Sequence, residues 1–427
     1  MSRKVLISFL GTGPLDTKEK RTYKTANYHL GEVDLGNYPF VSAALKKHYA
    51  IDTVLLVGTV RSMWEEVYRW FSVERNLLVD DDVYLEIGTT CERTNHASPL
   101  YIPHQEKIEA AIGDDSKVVL IKYGLTEEEI RDNISIILGL QQFLENGDEL
   151  IVDITHSFRS LPIFMMQLLI YLQNVCPKRV TISHICYGMF EVGRELGYTP
   201  ILDLRAMLDV NDWITGAYAF SMFGNTYKIS QLLESENKSV APILRGFSDA
   251  MNLNYLYPMQ TEVQKLSGIK NKEYQTALPS LIITPVVNQF LKTFQTKEDS
   301  HRQSHFQLNL ALWQFQHKKF AQSYLTSNDA LISYVCEINN LPWDDFNFRE
   351  MAKCSLRGKT EGQMLAVDSE MKQWFKVHNN YRNGIAHTTK LMKVSFVQGV
   401  RQETELTPGE IIKKLEDDIK QLQKIIR

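Results

Sequence analysis

The sequence has few cysteines, and none of them is arranged to bind a metal or to form a disulfide framework. The five are scattered, odd in number and contain no C-x-x-C pair; they are Cys91, Cys176, Cys186, Cys336 and Cys354. The eleven histidines include no H-E-x-x-H pattern. We therefore expect reduced core cysteines, no structural zinc, and any chemistry to proceed without a protein-held metal.

Long hydrophobic runs are also lacking. The longest, Leu161–Leu172, is interrupted by Gln167 and falls well short of the roughly 20 residues needed to span a bilayer. The apolar stretch Val5–Leu10 is too short for a signal-peptide core and is typical of a first strand. These features predict a cytoplasmic protein that has no membrane partner.

The charge is nearly balanced, with 47 lysines and arginines against 51 aspartates and glutamates and a net charge of -4. This excludes a protein that coats nucleic acid by bulk charge, although a local basic site remains open. Hydrophobic content of 44% and charged content of 23% are ordinary for a folded chain. A length of 427 residues, at about 150 per domain, predicts two or three domains.

The first two hundred residues alternate short apolar runs with helical patterns, which predicts a Rossmann-like α/β domain with a parallel-rich sheet. Ligands on such sheets bind at the carboxyl ends of the strands. The predicted strands are Val5–Leu10, Thr53–Val57, Val118–Lys122, Glu149–Thr155 and Val180–Tyr187, with helices at Thr126–Glu145 and Ile163–Gln173.

From Asp209 onward the pattern is helical, with a hairpin at Val394–Gln402 as the expected exception. In the last helix, Thr407, Pro408 and Glu410 form a capping box with proline at the first helical position. We therefore divide the chain into an α/β domain at 1–207, a helical connector at 208–299 and an all-α domain at 300–427.

Two loops of the α/β domain carry candidate ligand-binding residues. Gly11, Thr12 and Gly13 follow the first strand, where glycines let backbone N–H groups approach an anion. The second loop contains Thr155, His156, Ser157 and Arg159, which supply two hydroxyls, an imidazole and a guanidinium suited to a phosphate. We interpret Asp153, which precedes this loop, as a structural acceptor.

The C-terminal domain carries the pattern Arg382-Asn383-x-x-x-His387. Histidine suits proton transfer near neutral pH, and arginine suits the charge that develops on a phosphorus. On an ideal helix Arg382 and His387 lie about 140° apart, so Gly384 would have to loosen the turn, or a second copy would have to complete the site. On spacing alone a surface pair is the simpler interpretation. We interpret His378, which precedes the pattern, as part of a helix N-cap.

Taken together, these residues resemble the CRISPR-associated ribonucleases that join a CARF domain to a HEPN domain. The resemblance rests on the KVLISFLGTG start, the VDITHSFRSLP strand and loop, the Tyr187–Glu191 and Pro200–Leu204 segments, and the R-N-x-x-x-H pattern. It covers nearly the whole chain.

The resemblance implies an endoribonuclease that cleaves single-stranded RNA without a catalytic cofactor and leaves a 2′,3′-cyclic phosphate. Cyclic oligoadenylate, with four adenylates as the suggested ring size, would be the activator and would bind residues 11–13 and 155–159. The protein would be a homodimer, or a higher oligomer built from dimers. In the paired HEPN domains, His387 would handle the proton, Arg382 would hold the scissile phosphate, and Asn383 would orient one of them.

Two alternatives remain open. The CARF domain could itself cleave the cyclic ligand, with Thr12, Thr155 and Ser157 positioning a 2′-hydroxyl, or the helical half could be a non-catalytic, ligand-responsive regulator. A dinucleotide-dependent dehydrogenase is set aside, because Gly11-Thr12-Gly13-Pro14 is not G-x-G-x-x-G.

Overall fold

The computed structural model describes residues 2–13, 15–16, 22–156, 158–269, 272–294, 302–358, 364–397 and 400–426. It divides into two compact units, Met1–Asp209 and Val210–Arg427.

The first unit is built on an eight-stranded sheet with the order β5-β4-β10-β9-β8-β1-β6-β7. Its central strands β9, β8, β1, β6 and β7 are parallel to one another. The strands of this sheet are β1 Lys4–Leu10, β4 Ala26–Leu30, β5 Val33–Tyr38, β6 Thr53–Gly58, β7 Lys117–Leu120, β8 Glu149–Asp153, β9 Thr181–Gly188 and β10 Thr199–Asp203, and a short separate hairpin joins β2 Leu15–Asp16 to β3 Thr22–Tyr23.

Helices cover both faces of this sheet, because alternate residues of each central strand point to opposite sides. Leu6 and Leu10 of β1 join one buried cluster, whereas Val5, Ile7 and Phe9 join the other. The first cluster includes residues of α1 Val41–Tyr49, α2 Trp64–Glu74, α3 Asp81–Arg93 and α4 Gln105–Ile112. The second includes residues of α5 Glu127–Gly139 and α6 Leu161–Asn174. A short helix, α7, spans Gly193–Leu196. The predicted parallel-rich α/β fold is confirmed.

One side of the sheet differs from the expected pattern. Strands β4 and β5 form an antiparallel hairpin, and β10 pairs parallel to β4 but antiparallel to β9. The hairpin segments, ANYHL and VDLGNY, contain Asn, His, Asp and Gly, which weaken a strand signal. Their strand conformation therefore depends on pairing rather than on local propensity.

The second unit is helical, apart from one hairpin of β11 Met392–Val397 and β12 Val400–Glu405, which the sequence predicts. The final helix begins with the predicted capping box. The Thr407 hydroxyl accepts a hydrogen bond from the Glu410 N–H, and the Glu410 carboxylate accepts one from the Thr407 N–H. The helices are α8 Ala206–Phe223 (which starts just before the unit boundary), α9 Tyr227–Glu236, α10 Ala241–Leu253, α11 Leu256–Ser267, α12 Leu278–Lys292, α13 Gln303–Gln316, α14 Phe320–Ile338, α15 Phe346–Leu356, α16 Ser369–Ala386 and α17 Pro408–Ile425.

Helix α13 shares one hydrophobic cluster with the helices before it. Phe306, Leu310 and Trp313 pack among Phe220, Phe247 and other core residues of α8–α12. Helices α14 to α17 form a further cluster around Trp374 and Phe375. Residues 210–294 and the helices that follow are therefore packed together within one unit.

Candidate ligand-binding and cleavage sites

The two predicted binding loops lie on adjacent strands at the same edge of the sheet. Strands β1 and β8 are parallel neighbours, with Ser8 opposite Asp153. Gly11–Gly13 follows the end of β1, and Thr155 and His156 follow the end of β8. The topology therefore brings these two loops together at the carboxyl edge, where ligands of such sheets bind.

Asp153 is a buried acceptor that holds this edge together. Its carboxylate accepts hydrogen bonds from the Ser8 hydroxyl at 2.6 Å, and from the hydroxyl and backbone N–H of Thr155 at 2.5 and 2.9 Å. Burial raises the pKa of Asp153, against the opposing effects of His156 and of these hydrogen bonds. The interpretation of Asp153 as structural agrees with this geometry.

The Thr155 hydroxyl is engaged within the protein. Besides donating to Asp153, it accepts a 2.7 Å hydrogen bond from the backbone N–H of Gly188 at the end of β9. Gly188 is needed for this close approach, since a Cβ there would lie 3.1 Å from the Thr155 methyl group. Thr155 thus fixes the shape of the loop, and direct contact with a phosphate remains a prediction.

His156 is placed differently. Its Nε2 atom is buried and has no hydrogen-bond partner among the described residues, and its ring lies 5.4 Å from that of Phe190. Burial lowers the pKa of His156, and the neighbouring Asp153 carboxylate opposes this only in part. A neutral imidazole with a buried nitrogen that has no partner among the described residues therefore lies at this edge. Arg159 is exposed, and Ser157 lies outside the described residues.

The Gly11–Gly13 loop is tied to the segment that follows β6. The Gly11 carbonyl accepts from the Met63 N–H at 3.1 Å, and the Ser62 hydroxyl donates to the Leu10 carbonyl at 2.8 Å. At Gly13, a Cβ would lie 2.7 Å from Cδ1 of the Tyr23 ring and would also displace the Met63 methyl group. Gly13 is therefore required by packing, as well as suited to an approaching ligand.

A cavity of about 190 Å³ opens beside this loop. The Tyr23 hydroxyl donates to the Glu65 carboxylate within it. Most of the lining residues were not predicted from the sequence, because they come from α2, α3 and the segment after β6. The polar residues that follow the buried strand β6 were the only sequence signal for this site. The lining residues are Thr12, Gly13, Tyr23, Arg61, Glu65, Tyr84, Gly88, Cys91 and Glu92.

In the helical unit, Arg382 and Asn383 lie in the last turn of α16, and His387 caps its end. The Arg382 guanidinium donates from Nη1 to Oδ1 of Asn383 at 3.0 Å, and the His387 N–H donates to the Asn383 carbonyl at 2.9 Å. Asn383 thus contacts Arg382 through its side chain and His387 through its backbone carbonyl. Arg382 is half-buried, whereas His387 is exposed.

Gly384 has a role that the sequence did not suggest. Helix α16 continues through it to Ala386, so the expected loosening of this turn is wrong. A Cβ at Gly384 would lie 2.6 Å from Cδ2 of Leu391, which is buried against the helix. The Thr389 N–H also donates to the Gly384 carbonyl at 3.0 Å. Gly384 therefore lets the chain after His387 fold back closely onto α16.

His378 is a core residue rather than a helix cap, because α16 begins nine residues earlier at Ser369, with Asp368 as its N-cap. Its ring is fully buried and lies 4.2 Å from the Trp374 ring. The two nitrogens contact the Asp418 carboxylate at 2.9 Å and the Tyr324 carbonyl at 3.1 Å. His378 therefore joins α16 to α17 and α14.

A charged pair lies close to the Arg382 end of the unit. Arg349 donates to the Asp329 carboxylate at 2.7 Å and to the Ser333 hydroxyl at 3.1 Å. Burial raises the pKa of Asp329, and the positive charges of Arg349, Lys353 and Arg382 oppose this effect. Arg382 is thus within electrostatic range of Asp329.

Among the described residues, no cluster of three or more His, Cys, Asp or Glu side chains is arranged to hold a metal ion. Likewise, none of the helices within those residues is both long and apolar enough to cross a bilayer.

Two family models match the chain in succession. Residues 5–191 match the CARF domain of the CRISPR system endoribonuclease Csx1, and residues 209–301 match the second domain of CRISPR-associated protein MJ1674. Most of the chain is therefore similar to CRISPR-associated CARF-domain proteins, which confirms the resemblance seen in the sequence.

One relative is CRISPR-associated protein MJ1674 of Methanocaldococcus jannaschii, which is 35% identical over 399 residues. The match covers 90% of this chain and 62% of that protein, so the chain spans less than two thirds of the length of its relative. Among solved structures, Enterococcus italicus Csm6 bound to cyclic hexa-2′-fluoro-hexa-dAMP matches with a TM-score of 0.38 and 11% identity, covering 100% of this chain and 94% of that one.

Proposed function

We propose that this protein is an endoribonuclease that cleaves single-stranded RNA when cyclic oligoadenylate binds its CARF domain. Residues 1–207 would be the sensor, 208–299 the connector and 300–427 a HEPN ribonuclease domain. The observation that carries the proposal is the grouping of Arg382, Asn383 and His387 at the end of α16, in a chain whose first domain is a CARF domain.

Each residue of the group has a chemical role in RNA cleavage. His387 would take the proton from the 2′-hydroxyl as its oxygen forms a bond to phosphorus, and the bond from phosphorus to the 5′-oxygen would break. The departing 5′-oxygen takes a proton from water, and the products are a 2′,3′-cyclic phosphate and a 5′-hydroxyl. Arg382, held by Asn383, would stabilise the additional negative charge on the phosphate oxygens. This route needs no metal, because the RNA supplies the nucleophile.

A second copy would complete the site. Arg382 is half-buried and His387 is exposed beyond the helix end, so one copy offers an open half-site. In a two-fold dimer, the two α16 ends would face one RNA strand, and a cyclic ligand with its own symmetry would suit a paired CARF edge. Ligand binding activates only if it favours the dimer packing in which the half-sites are aligned.

The test is cleavage of a fluorescent single-stranded RNA in EDTA, with and without cyclic tetra-adenylate. We expect cleavage to require the ligand and to fall about 10²- to 10⁴-fold in His387→Ala. His96→Ala, which removes an exposed histidine in the other unit, is the matched control and should cleave normally. If RNA stays intact with both cyclic tetra- and hexa-adenylate while either ligand is bound, the helical half is a non-catalytic regulator.

A second candidate activity is cleavage of the cyclic ligand by the CARF domain itself. The supporting observation is His156, whose buried Nε2 has no partner among the described residues and whose lowered pKa keeps it a proton acceptor. It would accept the proton of a ligand 2′-hydroxyl, which would then attack the adjacent phosphate. His156→Gln should bind cyclic tetra-adenylate without degrading it, whereas an Arg382→Ala/His387→Ala double variant should still degrade it. Unchanged degradation in His156→Gln would exclude this role.

A further inference from the structure

Three aromatic rings form a row on the surface of the helical unit. The rings of Tyr255 and Tyr257 lie 6.4 Å apart, and those of Tyr257 and Trp343 lie 6.0 Å apart, with interplanar angles of 32° and 39°. Tyr255 is 55% exposed and Tyr257 is 60% exposed, whereas Trp343 is half-buried and packs against the core cluster around Trp374 and Phe375. We call these three residues the aromatic ladder.

The ladder is held by a rigid backbone. Tyr255 and Tyr257 lie at the start of α11, directly after Asn254, which adopts a left-handed conformation. The Asn254 side-chain oxygen accepts from Gln314 at 2.7 Å and from Thr326 at 3.3 Å, which joins this turn to α13 and α14. The backbone that carries the two tyrosines is therefore held in place.

The exposure of the two ladder tyrosines contrasts with the aromatic cluster in the core of the same unit. Phe220, Phe247 and Phe290 also contact one another ring to ring, but all three are buried in the core. Single exposed aromatics are common, whereas a contiguous exposed row usually marks a binding surface. Every nucleic acid base has a flat face that stacks on such rings, whatever its identity.

A chain of contacts leads from the ladder towards the proposed cleavage site. The Trp343 carbonyl accepts from Nη1 of Arg349 at 3.0 Å, and the same guanidinium pairs with Asp329. The charge of Arg382 acts on Asp329 in turn. Arg349 therefore contacts both Trp343, at the end of the ladder, and Asp329, whose pKa is affected by the charge of Arg382.

The chemistry of the surroundings favours bases over phosphates as the contacted groups. Trp343 is followed by Asp344 and Asp345, and carboxylates repel a phosphate backbone. Tyrosine and tryptophan offer stacking faces with polar edges. In a duplex the bases are already stacked on each other, so the surface fits a strand whose bases are unpaired.

We propose that the aromatic ladder stacks unpaired bases of the single-stranded RNA that Arg382 and His387 cleave. This inference rests on the proposed function and extends it with a base-binding surface. The ladder would hold the strand on one side of the scissile phosphate without reading its sequence.

The test measures binding of a short fluorescein-labelled single-stranded RNA by anisotropy, with cyclic tetra-adenylate present and with His387→Ala as the non-cleaving background. Adding Tyr257→Ala should weaken binding about 5- to 150-fold, the range for losing one stacked base. Tyr257→Phe keeps the ring and should bind like the background. Tyr218→Ala removes another exposed tyrosine of this unit, outside the ladder, and is the matched control.

An RNA with abasic positions separates stacking from other effects, because it should bind weakly and lose nothing further in Tyr257→Ala. If Tyr257→Ala binds intact RNA as well as the background while wild type cleaves RNA, the ladder inference falls and the proposed function stands. A change of oligomeric mass in Tyr257→Ala with unchanged RNA affinity would assign the ladder to a protein contact instead. If wild type neither binds nor cleaves RNA with either cyclic ligand, the proposed function and the ladder inference both fall.

Discussion

The backbone N–H of Gly188 donates a 2.7 Å hydrogen bond to the hydroxyl of Thr155, which joins the ends of the adjacent strands β9 and β8. The same hydroxyl donates to the buried carboxylate of Asp153. One threonine therefore fixes the positions of two loops at the edge where we place the ligand.

Replacing Thr155 by valine should destabilise the CARF domain. Valine keeps the shape but removes the hydroxyl, so the Gly188 N–H loses its acceptor and Oδ1 of Asp153 keeps only the backbone N–H of residue 155, at a cost of about 1–3 kcal/mol in the free energy of unfolding. Chemical denaturation would measure this cost. Thr155→Ser retains the hydroxyl and should be much less destabilised. A loss of stability in Thr155→Ser together with wild-type stability in Thr155→Val would mean that the methyl group matters rather than the hydrogen bonds.

Stability should depend on pH through His156. Because burial lowers its pKa in the folded state, the unfolded chain binds the proton more readily, and the free energy of unfolding decreases as pH falls through about 6.5. The slope from this residue is at most about 1.4 kcal/mol per pH unit. His156→Gln should remove that slope in denaturation curves recorded from about pH 7.5 to about pH 5.5.

Asp153 contributes with the opposite sign, since its raised pKa makes the folded state bind the proton more readily. Its contribution is present in acid and is lost as pH rises above about 4 towards its folded-state pKa. Repeating the measurement in an Asp153→Asn background separates the two groups. A slope that persists in Asp153→Asn/His156→Gln would have to come from another residue.

The two histidines of α16 should respond differently to substitution. His378→Ala removes a fully buried ring together with its hydrogen bonds to Asp418 and to the Tyr324 carbonyl, and should lower the free energy of unfolding by about 2–5 kcal/mol. His387→Ala changes an exposed side chain and should alter that free energy by no more than about 0.5 kcal/mol. Calorimetry together with the RNA cleavage assay distinguishes them, because only His387→Ala should abolish cleavage in a fully folded protein.

Gly384→Ala should reduce cleavage by displacing the segment that follows His387. The new methyl group would lie 2.6 Å from Leu391, so Leu391 must move, and such overpacking costs about 1–3 kcal/mol. Shortening Leu391 in a Gly384→Ala/Leu391→Ala double variant should restore part of the cleavage rate lost in the single variant. A rate in Gly384→Ala equal to wild type would show that the position of this segment does not affect catalysis.

Much of the fold follows from local sequence patterns. The buried strands β1, β6 and β8 are rich in Val, Ile and Leu, and Thr407 and Glu410 form the expected cap of α17. The β4–β5 hairpin was not predicted, since its polar and glycine-containing segments become strands only by pairing at the edge of the sheet.

Some features of the candidate site could likewise be predicted from the sequence, and others could not. The loops after β1 and β8 could be predicted as neighbours, because parallel strands of one sheet end at one edge. The role of Thr155 could not, since it depends on the backbone of Gly188 on another strand. The contacts of His378 with Asp418 and of Gly384 with Leu391 likewise arise only from tertiary packing.

The central position of β1 has a consequence for how this domain is synthesised. Ser8 bonds to Asp153 across 145 residues, and β1 pairs with both β6 and β8. The pairing of β1 with β8 therefore cannot form until β8 has left the ribosome. Until then the apolar residues of β1 are only partly covered in the nascent chain. Contacts of such long range slow folding and prolong exposure to aggregation. We expect this domain to acquire protease resistance late in translation, only after β8 has emerged.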